Sequence, residues 1–154
     1  MSFRSALSRG VAPLQPDYVQ RDSAGTRATF RFSVPVLRVR DVAATVAWYR
    51  RQLGFTAETF PERGPHEFAI IERDGVQLLV RRDSGATRAV DMHTGWDLYL
   101  WVDGADLGRL EAQFALSGEV VRPVSPMSST IAELEVRDPD GYVLCIGGPT
   151  PSNR

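Results

Sequence analysis

One pattern of elements occurs twice in this chain, and that repetition limits the fold more than anything else in it. "FRFSVPVLRV" is rich in β-forming residues and reads as a strand. Asp41 then caps a helix, "DVAATVAWYRRQLG", whose Val42, Val46, Tyr49 and Leu53 share one face, and Gly54 ends it. A short strand, "FTAETF", and a hairpin, "EFAIIERDGVQLLVRR", follow, with Asp74-Gly75 as the hairpin turn. After a polar linker, "DSGATRAVDMHTG", the series begins again with the strand "WDLYLWV". Asp103 caps a second helix with Leu107, Leu110 and Phe114 on one face, and Gly118 ends it. "EVVRPV", "TIAELEV" and "YVLCIGG" complete the set, about sixty residues after their counterparts. The expected class is α+β, with two βαβββ modules at 30–82 and 96–148 forming one domain over 30–148. A sheet that carries its helices on one face leaves the other free, so the modules should form a curved mixed sheet, a cup with the helices outside. Residues 1–29, with Pro13, Pro16 and Gly25, read as an N-terminal arm, either free or packed on a partner subunit, and 149–154 as a tail.

Composition closes off several function classes. The formal charge of -1 and pI near 6.1 give no general attraction to nucleic acid. All 18 basic residues are Arg. A single cysteine excludes an internal disulfide and a Cys-only zinc site. No apolar run approaches the ~18 residues that span a membrane, and the N-terminus lacks the apolar segment of a secretory signal. The expected location is cytoplasmic, without membrane partners.

Three stretches carry a resemblance: "VPVLRVRDVAATVAWYRRQLGF" at 34–55, "LYLWVDGADL" at 98–107 and "LEVRDPDGYVLCIGG" at 134–148. Together they resemble the vicinal oxygen chelate superfamily, which includes glyoxalase I, ring-cleaving dioxygenases, fosfomycin-resistance enzymes and bleomycin-resistance proteins. Metal-using members of that superfamily draw ligands from four strand positions, which fall here at Val34, near Leu78, at Asp97 and at Cys145. Val and Leu bind no metal, and Asp97 with Cys145 would leave two protein ligands where a catalytic zinc has three. His66 and His93 lie in loops away from these positions. In "VPVL", "WDLYLWV" and "DPDGYVLCIGGP" the chain is most similar to the bleomycin-resistance branch, which binds its ligand without chemistry. The resemblance therefore implies a metal-independent homodimer with no cofactor and no catalytic residue. The alternative is a lyase, isomerase or dioxygenase acting on a small organic substrate, with Glu133, Glu135 or Asp97 as general base.

Strand alternation suggests what lines the cup. Val34, Val36 and Arg38 share one face, as do Asp97, Tyr99 and Trp101, while Leu134 and Val136 turn Glu133 and Glu135 the other way. The expected ligand-binding set is Arg38, Asp97, Tyr99, Trp101, Glu133 and Glu135. Aromatic faces attract flat rings and cations, and carboxylates hold amines, so this set implies an amphipathic, aromatic, cationic ligand. Arg38 either binds a ligand carboxylate, as the glyoxalase resemblance implies, or pairs with Glu133 or Glu135. Trp96 is expected at the pocket rim. Trp48 lies off the apolar helix stripe, either partly exposed or against a partner subunit. Cys145, between Leu144 and Ile146 with no base nearby, reads as a small apolar filler that marks an absent metal.

Overall fold

The computed structural model describes residues 32–85 and 95–150. The expected arm at 1–29, His93 and residues 151–154 of the tail lie outside them. The element order is β1 (Val36–Val39), α1 (Val42–Leu53), β2 (Thr56–Phe60), β3 (Phe68–Arg73), β4 (Val76–Arg82), β5 (Leu98–Trp101), α2 (Gly104–Ala115), β6 (Val120–Pro126), β7 (Ile131–Arg137) and β8 (Val143–Pro149). The class is α+β, built from two βαβββ modules. Each makes its own four-stranded mixed sheet, ordered β1-β4-β3-β2 and β5-β8-β7-β6. In both, the strand before the helix runs parallel to the last strand of the module, and the other pairs are antiparallel.

Local chemistry sets the element ends. The Asp41 side chain accepts a hydrogen bond from Ala44 N at 3.1 Å and satisfies one orphan amide of α1. Gly54 closes the helix at φ 67°, its N–H donating to Arg50 O at 3.0 Å. Asp74 and Gly75 both have positive φ, 48° and 82°, as a two-residue hairpin turn between twisted strands requires. Asp103 occupies the N-cap position of α2, but its side chain makes no capping bond; its backbone carbonyl accepts from Asp106 N at 2.8 Å instead. The last strand does not end at Gly147 and Gly148. It runs through them to Pro149, paired with Ala132 and Ile131 of β7.

One apolar core serves both modules. Leu37 and Val39 of β1 pack with Tyr49 of α1, and Leu107 and Phe114 of α2 pack with Leu134 and Leu144 of the second sheet. Burying a side chain such as Phe114 contributes roughly 2–3 kcal/mol relative to leaving it exposed. Trp48, off the expected stripe, is nonetheless buried. Its ring lies 4.9 Å from Tyr49 and 5.9 Å from Phe114, and its Nε1–H donates to Glu119 Oε1 at 2.7 Å. The second module thus supplies a polar partner for a helix position that a single helix would expose.

The turn before β8 joins the modules. Tyr142 Oη accepts from Arg38 N at 2.7 Å and donates to Arg38 O at 3.0 Å, plugging both outward backbone groups of edge strand β1 at that residue. Asp140 accepts from Arg40 N and Thr45 Oγ1, and Asp138 Oδ2 accepts from Tyr49 Oη. Among the described residues, no helix is long and apolar enough to cross a membrane.

Candidate functional site

The second sheet has one face against the helical core and one turned away from it. On the outward face the strand register aligns Tyr99 with Cys145 and Glu135, and Trp101 with Gly147 and Glu133. Alternation accounts for this: Leu134 and Val136 are fully buried on the core side, so the two glutamates stand opposite. Tyr99 lies flat across β8, because a Cβ on Gly147 would overlap its ring. Its hydroxyl donates to Glu133 Oε1 at 3.1 Å. Trp96, just before β5, lies 5.5 Å from Tyr99 between ring centroids, and its Nε1–H donates to Glu135 Oε1 at 2.8 Å. Trp96, Tyr99 and Trp101 keep 45%, 45% and 55% of their surface exposed, which makes an open aromatic strip beside two carboxylates.

The cation that holds these two carboxylates is Arg122, which sequence reasoning missed. Its Nε and Nη2 donate to Glu135 Oε1 at 2.9 and 2.7 Å, and Nη2 also donates to Glu133 Oε2 at 3.1 Å. The β6–β7 register shifts on both sides of Arg122, and such irregularities re-aim a side chain. Plain alternation along "EVVRPV" does not give its direction, although a lone Arg in a strand neighbouring "ELE" was a usable signal. Arg38, expected either to bind a ligand carboxylate or to pair with Glu133 or Glu135, is on the other module's β1. It is mostly exposed and lies 3.6 Å from Asp83. Asp97 sits at the entry to β5, where its Oδ2 accepts from Val143 N at 2.8 Å and its own N–H donates to Val143 O at 2.9 Å. One carboxylate oxygen is therefore turned onto the β8 backbone. The structure brings Tyr99, Trp101, Glu133 and Glu135 onto one face and places Arg38 elsewhere.

Electrostatics follow from the geometry. Burial by itself raises the Glu135 carboxyl, but the Arg122 guanidinium and the Trp96 N–H outweigh it and hold it below the usual range. Arg122 is held above its ordinary value, chiefly by its bonds to Glu135. Burial raises the Tyr99 phenol, and its hydrogen bond to Glu133 adds to the shift. Cys145 is fully buried beneath this cluster, and its thiol is pushed up to about 12 by burial and then by the Glu133 and Glu135 charges. It stays protonated near neutral pH and is not a nucleophile.

Compared with known families, residues 31–146 match the sequence profile described as the Glyoxalase/Bleomycin resistance protein/Dioxygenase superfamily. The chain belongs to that superfamily. Comparison with curated proteins finds no match. Among solved structures, TioX from Micromonospora sp. ML1 is 21% identical, with a TM-score of 0.61 over 80% of this chain and 99% of that one. A glyoxylase/bleomycin resistance protein/dioxygenase domain from Frankia sp. EAN1pec is 22% identical, with a TM-score of 0.62 over 82% and 96%. The fosfomycin resistance protein FosX from Listeria monocytogenes is 10% identical, with a TM-score of 0.63 over 80% and 96%. At these identities the likeness concerns the fold.

The positions where metal-using members of the superfamily carry ligands do not fit a metal in this chain. Val34 precedes β1 and offers hydrocarbon. Leu78 is on the wrong face: it packs in the core, while parallel register places Leu79 beside Val36 on the side of Arg38. Leu78, Leu79 and Val80 are all buried, so no alternation along β4 distinguished the two faces. Asp97 is bonded to the β8 backbone and the Cys145 thiol holds its proton. His66 Nδ1 lies 2.9 Å from Pro61 O, in the loop before β3. No group of three or more His, Cys, Asp or Glu converges among the described residues.

Proposed function

We propose that this chain is a metal-independent binding protein that sequesters a small aromatic cation on the outward face of its second sheet. One observation carries the reading: a half-exposed aromatic strip, Trp96, Tyr99 and Trp101, borders two carboxylates that share the Arg122 guanidinium. Alternation puts Asp97 and Arg137 on this face as well, so Asp97, Glu133 and Glu135 against Arg122 and Arg137 leave one net negative charge among the described residues, and a monocation is the matching partner. A flat cationic ring over an indole gains roughly 0.5–2 kcal/mol from the ring quadrupole alone. Glu135 is the carboxylate a ligand would reach. Glu133 is 3% exposed, with both oxygens engaged. Its lowered carboxyl makes Glu135 a poor general base, so binding without turnover suits this face better than catalysis.

The protein acts in the cytoplasm as a homodimer. In this proposal a second copy covers the aromatic strip and the exposed Val36, and the ligand is enclosed between subunits.

Titration with proflavine, a flat aromatic monocation, followed by fluorescence quenching, tests this reading. Trp101→Ala and Glu135→Gln should each weaken binding about tenfold, a change of about 1.4 kcal/mol. The compound should be recovered chemically unchanged. Equal affinity in both variants refutes the site, altered compound refutes the absence of turnover, and a monomer by sedimentation refutes the assembly.

A further inference from the structure

The two modules are joined at one end and part at the other. Tyr142, Asp140 and Asp138 join them beside the start of α1. At the last turn of α1, the side-chain hydrogen bonds that span the gap among the described residues come from Gln113, which donates to Gln52 O and Oε1 at 2.6 and 3.0 Å. A groove of about 620 Å³ opens there, between the end of α1, the β3–β4 turn, the end of β5 and the outer side of α2. It lies on the helix side of the sheets, away from the carboxylate face. Its volume is in the usual range for small-molecule sites, roughly 300–1,000 Å³.

The lining combines an apolar floor with a charge-balanced rim. Leu53, Phe55, Leu100, Val102, Leu110 and Ile146 supply the floor. Three arginines and three aspartates form the rim, so it carries no net charge. Arg73 pairs with Asp74 at 3.0 Å, and Arg109 pairs with Asp106. Arg51 and Asp103 remain, both exposed and neither with a side-chain partner among the described residues. The rim thus offers one free cationic donor and one free anionic acceptor above hydrocarbon.

We infer that this groove is a second ligand site, for a small molecule without net charge that is apolar on one side and carries both a hydrogen-bond donor and an acceptor. The ligand's acceptor meets Arg51, its donor meets Asp103, and its apolar body covers the floor. A compound with a net charge is attracted by one of these two groups and repelled by the other, so the rim favours a ligand whose own charges sum to zero. The groove and the carboxylate face therefore select different chemistry on the two sides of one sheet, with Trp101 at the border.

The probe is 7-amino-4-methylcoumarin, an uncharged fluorophore with an N–H donor and a carbonyl acceptor whose emission shifts to the blue in apolar surroundings. The full chain should bind it saturably at one molecule per chain. Leu110→Trp, which fills the floor, and Gln113→Trp, an exposed position at the mouth, should each weaken binding at least about tenfold. Gln113→Trp leaves the buried core intact, so it remains informative if Leu110→Trp fails to fold. Trp96→Ala, on the carboxylate face, should leave the affinity unchanged, and excess proflavine should not displace the probe. Absence of saturable binding overturns the proposal. So does loss of binding in Trp96→Ala with retention in Gln113→Trp, which would place the probe on the carboxylate face. Failure of proflavine to bind anywhere would leave this site standing and overturn only the first.

Discussion

Asp138→Asn probes the joint between the modules through its pH dependence. Asp138 is 4% exposed; its Oδ1 accepts from Asp140 N at 2.9 Å and Tyr142 N at 2.8 Å, and its Oδ2 from Tyr49 Oη at 3.1 Å. Burial outweighs those bonds, the Asp140 charge adds to it, and the carboxyl rises from 3.8 to about 6. Between those values the folded state keeps a proton that the unfolded chain has lost. Stability from this group is therefore present at low pH and falls as pH rises from about 4 to about 6. Roughly two pK units correspond to about 3 kcal/mol. Asparagine keeps the acceptor for both amides, turns an N–H donor toward the Tyr49 hydroxyl, and does not titrate. The unfolding free energy of the variant minus that of the wild type should thus swing toward the variant by roughly 2–2.5 kcal/mol between pH 4 and pH 7, the rest of the effect lying below pH 4. Urea unfolding followed by tryptophan fluorescence measures both proteins, and titrating groups distant from this joint cancel in the difference. A difference that is flat with pH, or swings the other way, refutes the reasoning.

Arg122→Ala leaves Glu133 buried without its guanidinium and should cost about 2–4 kcal/mol in urea unfolding; a loss below about 0.5 kcal/mol would mean the cluster is not a buried ion pair. With the Cys145 thiol buried and raised to about 12, native protein should resist iodoacetamide at pH 7.5, while urea-unfolded protein is fully alkylated, as read by mass spectrometry. Tyr142→Phe removes both bonds to the Arg38 backbone and should cost about 1–3 kcal/mol, with faster amide exchange at Arg38; an unchanged exchange rate would contradict the edge-plug role.

Where a residue's role depends on its chain neighbours, the sequence was enough. Asp41 caps because its side chain reaches an amide three residues on. Gly54, Asp74 and Gly75 mark turns because positive φ suits few other residues. Glu133 and Glu135 were separable from Leu134 and Val136 because a strand alternates strictly and one face here is apolar. The repeat of these local patterns was sufficient to give the α+β class and the two modules. The tertiary structure decided whatever depends on register or on the other module. Trp48 is buried because Phe114 and Glu119 arrive from α2 and the segment after it. Leu78, expected near a ligand position, packs in the core instead, because both sides of β4 are covered and alternation carries no signal there. Arg38 meets Asp83, and Arg122 takes the carboxylates, because an irregular strand pairing turns Arg122 onto that face. The groove has no sequence signature at all. It is the gap between two modules joined at one end, and its lining comes from segments of both that only folding brings together.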